Sequence, residues 1–170
     1  MVFLKLHIII NQRGEYMDNQ EFHTFGIYMK KISEKMTASM EDYLEMICRL
    51  SKETGFTRVY ELSNALNVQP PSATMMIQKL AKLNILKYKK YGIVVLEKKG
   101  IKLGEMLLKR HKTIESFLTV LGVSNTTILE ETEKIEHTIS SETLSCFNNF
   151  LNFLNQNPGV KKMIADYKQP

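Results

Sequence analysis

The stretch "TEKIEHTIS", Thr132 to Ser140, sets Glu133, Glu136 and His137 within little more than one helical turn. On a helix they span an arc of ~100° beside an apolar stripe of Ile128, Ile135 and Ile139, so three ligand-type side chains point one way. A second pair, Asp42 and Glu45, stands at i and i+3 in "SMEDYLEMI". It projects away from the stripe formed by Met40, Tyr43, Leu44, Ile47 and Leu50. His111 is the third element and shares a face with Leu107, Ile114 and Leu118. Taken alone, each has a bland reading: a solvated acidic face, or a core histidine satisfied by one hydrogen bond. Meeting in space, they would offer four carboxylates, two imidazoles and no thiolate. That donor set excludes a Cys-type zinc site and suits Mn(II) or Fe(II), and four negative charges balance two divalent ions.

The elements that must position these residues follow from periodicity and punctuation. A first helix opens near Ser39 as its cap, with Glu41 and Asp42 at the positive end of the dipole, and Gly55 closes the segment. "VYELSNALNV" reads as a second helix, with Val59, Leu62, Ala65 and Leu66 at helical spacing, before a turn at Asn67-Val68-Gln69. Pro70 and Pro71 suit the start of a third helix, whose buried stripe is Ala73, Met76, Ile77, Leu80 and Leu83. "LKYKKYGIVVLEKKG" reads as a β-hairpin turning at Tyr91-Gly92, with Ile93 to Leu96 in its second strand.

Helix, helix, turn, helix, hairpin is the order of a winged helix-turn-helix, whose second motif helix lies in the DNA major groove. The outward face would carry Pro71, Met75, Gln78, Lys79 and Lys82, with Ser72 and Thr74 at its edges and Gln69 just before it. Gln78 and Ser72 would read base edges, and Lys79 and Lys82 would meet phosphates. Lys89, Lys90 and Tyr91 at the hairpin tip would reach the flanking backbone. The alternative is a structural helical hairpin with solvated lysines.

Beyond the hairpin the chain reads as helical. A long helix runs from Lys98 to Leu121 and stops at Gly122. A shorter one starts near Thr127, with Thr127 and Glu130 at capping-box spacing, and ends near Thr138. A third, capped at Ser140 or Ser141, carries Leu144, Phe147, Leu151 and Leu154. The apolar surface left over predicts pairing with a second copy.

Composition agrees with a globular domain: 44% hydrophobic, 24% charged, with a net charge of +5 that permits a polyanionic partner. Cys48 and Cys146 form no C-x-x-C pair and read as buried free thiols in a reducing cytoplasm. "MVFLKLHIII" is too short to span a bilayer and makes a poor signal peptide, so no membrane partner is expected. "QRGEYM" can be encoded by a purine-rich ribosome-binding sequence followed by a start codon. This predicts translation from Met17, with residues 1–16 an artefact of the assigned start. The chain divides into an arm (1–36, flexible), a winged helix-turn-helix (37–97), a helical domain (98–157) and a C-terminal tail (158–170).

"SMEDYLEMI", then "KRH" and "EKIEH" around the intervening winged helix, resembles the diphtheria toxin repressor family of metal-dependent transcription regulators, and more closely its manganese transport regulator branch. The resemblance covers residues 38 to 155. It implies a mostly α fold: an N-terminal winged helix-turn-helix with a small β-hairpin wing, then an all-α metal-binding and dimerisation domain. It implies six metal ligands, Asp42, Glu45, His111, Glu133, Glu136 and His137, holding two Mn(II) ions per subunit, with Fe(II) or another divalent metal as the alternative. In the iron-responsive branch a methionine stands at the place of Asp42 and a cysteine at that of Glu136. The implied protein is a cytoplasmic homodimer that binds a palindromic double-stranded DNA operator and represses manganese uptake genes. A dinuclear carboxylate enzyme would need Glu-x-x-His motifs that the helical half lacks, and would leave the winged helix unexplained. A metal-free winged-helix regulator would leave the six-residue match to chance.

Overall fold

The computed structural model describes residues 36–167. The arm expected over residues 1–36, with the proposed start at Met17, lies outside the described residues except for Met36.

Helix α1, Ala38–Leu50, is capped by Thr37 and not by Ser39. Thr37 is extended, and its hydroxyl accepts from the Met40 N–H at 3.3 Å, whereas Ser39 is already inside the helix. Strand β1, Thr57–Arg58, then leads straight into α2, Val59–Ala65. The Glu61 carboxylate ties that junction by accepting from the Arg58 N–H and the Thr57 hydroxyl, both at 2.9 Å. Helix α3, Pro70–Lys82, begins on its two prolines as expected. Its buried residues are Ala73, Ile77 and Leu80; Met76 is half-buried. Leu83 leaves the expected stripe and is 36% exposed. The helix has ended, Asn84 turns the chain at positive φ, and Ile85 fills the core instead.

The hairpin is present as β2, Leu86–Lys89, and β3, Ile93–Leu96. They are joined by a 3₁₀ turn in which Tyr91 adopts φ 61°. Strand β1 adds to the far side of β3, giving an antiparallel sheet of order β1-β3-β2 with Thr57 opposite Val94 and Tyr88 opposite Val94. An ion pair from Lys87 to Glu97 closes the base of the wing.

Helix α4, Lys98–Leu121, ends at Gly122 as the sequence indicates. Helix α5, Asn125–Glu136, starts earlier than Thr127. Ser124 is the extended residue, and its hydroxyl accepts from the Thr127 N–H at 3.4 Å. His137 is the C-terminal cap of α5, so the helix stops short of Thr138. Helix α6, Ser141–Gln156, is capped by Ser140 and packs on α4 through Phe117 and Phe147, whose rings stack at 3.8 Å. Residues expected as a tail form a further helix, α7, Pro158–Tyr167, packed on α6. Pro158 starts it, and Val160, Ile164 and Tyr167 recur at helical spacing. Cys48 is half-buried, but Cys146 is exposed, contrary to the expected pair of buried thiols. The inward side of α6 is taken by Leu144, Phe147, Leu151 and Leu154, which turns Cys146 outward.

The core of the winged helix gathers Leu44, Ile47, Leu62, Ile77, Leu80, Ile85 and Val94, and it includes Leu107 of α4. Helix α4 therefore belongs to both halves. Its approach to α1 is close, because a Cβ on Gly104 would stand 2.8 Å from the Cβ of Cys48. Gly104→Ala should therefore lower unfolding stability by about 1–3 kcal/mol through overpacking. Urea denaturation of the purified protein measures it; a loss below ~0.5 kcal/mol would mean that the α1–α4 seam has room to yield.

Candidate metal centre and DNA-facing surface

The six expected ligands come together at the junction of α1, α4 and α5. Two groups of donor atoms form, each within 4.8 Å of one another: Asp42, Glu133, Glu136 and His137 in one, and Glu45, His111 and Glu136 in the other. Glu136 belongs to both and is 2% exposed. The helical pattern explains how a carboxylate becomes so buried. It follows Ile128 and Thr132 on the inward side of α5, so the same stripe that packs this helix on α4 carries an acid into the junction. Asp42 and Glu45, one turn apart on α1, divide between the two groups.

Electrostatics hold this arrangement. His111 Nδ1 lies 2.9 Å from Glu136 Oε2, with Glu45 Oε1 at 3.8 Å and Glu133 Oε1 at 3.9 Å. The hydrogen bond to Glu136 outweighs burial and raises the His111 pKa. His137 sits between two acids, with Nε2 2.8 Å from Asp42 Oδ1 and Nδ1 3.1 Å from Glu41 Oε2. Asp42 first, and Glu41 second, raise its pKa to about 10. Burial, and then the charge of Glu136, push the Glu133 carboxyl upward. The cleft beside these groups has a volume of about 250 Å³ and is lined by Asp42, Glu45, Met46, Arg49, Leu66, His111, Leu129, Glu133 and Glu136.

The donors fit a divalent cation on one further observation. Asp42 Oδ1 is buried without a hydrogen bond of acceptable geometry, although His137 Nε2 is only 2.8 Å away. At that distance charge attraction does not need alignment, but the oxygen keeps unmet acceptor capacity that a cation satisfies.

Three residues around the site were not singled out from the sequence. Glu41 accepts from both His137 Nδ1 and Arg110 Nη2, the latter at 2.6 Å. Burial raises the Glu41 carboxyl, but these two hydrogen bonds win and its pKa is lowered. Arg49 grips Glu45. The signals in the sequence were adjacency to candidate donors, Glu41 beside Asp42 and Arg110 beside His111, and the i, i+4 spacing of Glu45 and Arg49.

Gln69, Pro71, Ser72, Met75, Gln78, Lys79 and Lys82 are exposed on or just before α3, with Thr74 half-buried. Lys89, Lys90 and Tyr91 are exposed at the wing tip, Tyr91 at 88%. In the helical half, Phe150, Phe153, Val160, Met163 and Tyr167 of α6 and α7 are exposed. No helix among the described residues is long and apolar enough to cross a membrane.

Residues 35–94 match the family model described as iron dependent repressor, N-terminal DNA binding domain, and residues 97–165 match that for its metal binding and dimerisation domain. The chain belongs to the iron dependent repressor family. It is 41% identical over 121 residues to the HTH-type transcriptional regulator MntR of Shouchella clausii, covering 71% of this chain and 85% of that one. It is 39% identical over 137 residues to MntR of Oceanobacillus iheyensis, covering 78% and 93%. The solved structure of the manganese regulator SloR is 31% identical with a TM-score of 0.60, covering 69% of this chain and 55% of that one. The chain thus spans about half the length of that structure. As a family member it is a metal-dependent, DNA-binding transcription regulator that dimerises, and not an enzyme.

The two imidazoles predict a pH dependence for chelator-treated protein. Their folded pKa values lie above the ordinary 6.5, so the stability they contribute is complete below about pH 6.5. It is lost as pH rises through the folded value, about 10 for His137. Thermal melts between these limits should show stability falling with pH, and His137→Gln should flatten that fall relative to the unmodified chain. Parallel profiles for the two proteins would mean that His137 holds no such proton.

Proposed function

We propose that the chain is a Mn(II)-dependent repressor of manganese uptake genes, acting in the cytoplasm as a homodimer on a palindromic operator. The six ligands would be Asp42, Glu45, His111, Glu133, Glu136 and His137, holding two ions per subunit. The observation that carries this reading is the sharing of Glu136 between two donor groups, each of which joins α1 to α5. Oxygen and imidazole donors without thiolate suit Mn(II), and Fe(II) is the nearest competitor. Carboxylates at Asp42 and Glu136 favour manganese, since the iron-responsive branch of the family has methionine and cysteine there and the chain resembles the manganese branch more closely. MntR and SloR, the relatives described above, point the same way by name.

A bound divalent ion supplies positive charge that lets the four carboxylates stay together without protons. His137 would ligate through Nε2, because Glu41 holds Nδ1 and Arg110 holds Glu41 in turn. His111 would ligate through Nδ1, the nitrogen facing Glu136. Asp42 and Glu45 belong to the DNA-binding half, whereas Glu133, Glu136 and His137 belong to the dimerising half. Ligation would therefore fix α3 relative to the dimer axis, and with it the spacing of two recognition helices. Lys79, Lys82, Lys89 and Lys90 would contact phosphates; Ser72 and Gln78 would read bases; Gln69, Pro71, Thr74, Met75 and Tyr91 complete the contact surface. The exposed apolar residues of α6 and α7 would form the dimer contact.

Mn(II) should raise the melting temperature of chelator-treated protein. At a free concentration 100 times Kd the gain is ~2.7 kcal/mol per site. An unchanged melt would count against the centre. The coupling is tested by two variants titrated with operator DNA at two salt concentrations, with and without Mn(II). His111→Ala should keep weak, salt-sensitive DNA binding and lose most of the Mn(II)-induced gain in affinity. Lys79→Ala should bind Mn(II) normally and hold all DNA more weakly, with a shallower salt dependence. Full retention of the Mn(II) effect in His111→Ala would make that imidazole a core residue.

A further inference from the structure

Glu45 differs from the other carboxylates of the centre in having a permanently charged side chain on it. Arg49, one turn further along α1, donates to Glu45 Oε1 through both Nε, at 3.1 Å, and Nη2, at 2.5 Å. That same oxygen faces His111 Nδ1 at 3.8 Å, so the guanidinium binds the atom turned toward the donor group. Asp42, Glu133 and Glu136 pair only with imidazoles among the described residues. The other arginine nearby, Arg110, engages Glu41, which is in neither group.

The distinction is chemical. An imidazolium clears the way for a cation by losing a proton, and its nitrogen then becomes a ligand. A guanidinium does not deprotonate in a protein and offers no lone pair. It either remains beside an incoming cation and repels it, or swings away and gives up its two hydrogen bonds. Its side chain is 44% exposed and forms part of the cleft wall, so it has room to move, whereas the Glu45 side chain is only 10% exposed. We propose that Arg49 is a built-in competitor for the Glu45–His111–Glu136 half of the centre, holding its divalent-cation affinity below that of the Asp42–Glu133–Glu136–His137 half. The two halves then fill in order, and Arg49 sets the concentration at which the second one fills. This rests on the six-ligand reading above. The opposing view is that Arg49 orients Glu45 and thereby strengthens the site, as outer partners of ligands commonly do.

Calorimetric titration of the full-length dimer with Mn(II) separates the two views. Arg49→Gln and Arg49→Met remove the charge, and Arg49→Lys keeps it. The unmodified protein should take up two ions per subunit in two steps of different affinity. Arg49→Gln and Arg49→Met should tighten the weaker step by about tenfold, the order expected for a unit charge acting on a divalent one across several ångströms of half-wet protein. The stronger step should change by less than about twofold, since Arg49 has no contact in that group, and Arg49→Lys should stay near the unmodified values. In chelator, Arg49→Gln and Arg49→Met should melt at lower temperature, because a buried carboxylate has lost its partner. This sign, opposite to the gain in affinity, is the signature of a competitor. Two ions bound with the weaker step unchanged or weakened in these variants overturns the inference and makes Arg49 a positioning residue. Fewer than two ions bound by the unmodified protein overturns this inference and the six-ligand reading together.

Discussion

A carboxylate with almost no access to water governs the middle of this molecule. Glu136 is 2% exposed, and a carboxylate so placed needs positive partners, because removing a charge from water costs several kcal/mol unless it is paired. The pairing comes from His111 on α4 and from His137 at the end of α5, whose Nε2 also faces Asp42 of α1. Three helices are thus committed to one point by a single buried acid.

Helix α4 makes this point matter to the rest of the chain. It is one uninterrupted rod of 24 residues, ~36 Å long at 1.5 Å per residue. Its first turns give Leu103 and Leu107 to the winged-helix core, its middle gives Arg110 and His111 to the charged junction, and its later turns give Ile114 and Phe117 to the helical half. Packed side chains do not deform smoothly, so a change in how α1 and α5 meet across α4 becomes a rigid displacement of the recognition helix. The Glu41–Arg110 pair reinforces the arrangement by tying α1 to α4 beside His137.

What the sequence disclosed follows from this geometry. Period and punctuation were enough for α4, for the prolines opening α3 and for the turn at Tyr91-Gly92, because those signals are local. The six candidate donors and their faces were legible too, but the meeting of α1, α4 and α5 depends on crossing geometry that periodicity does not encode; the family resemblance implied it. Local competition accounts for the misplaced ends. Thr37 and Ser124 cap their helices where Ser39 and Thr127 offered the same chemistry two and three residues later. Strand β1 is too short to show an alternating pattern, and it exists because β3 offers it an edge. The Glu45–Arg49 pair at i and i+4 was visible throughout. On an exposed helix it would be worth a few tenths of a kcal/mol, and only the burial of Glu45 gives it weight.

The junction therefore balances its four acids in two unlike ways. Around Asp42, Glu133 and Glu136 the positive charge is carried by imidazoles, and their protons exchange with solvent. At Glu45 part of it is carried by a guanidinium that keeps its charge at any pH the fold survives. A cation at the first half would have to displace protons, so proton competition would strengthen as pH falls. A cation arriving at the second half must also contend with a tethered side chain, whose effective concentration is fixed by the covalent chain and not by the solution. Acidification thus opposes filling through the imidazoles alone, while the opposition from Arg49 is constant. With metal held by these donors, the centre would respond to metal concentration at a threshold that solution conditions shift only in part.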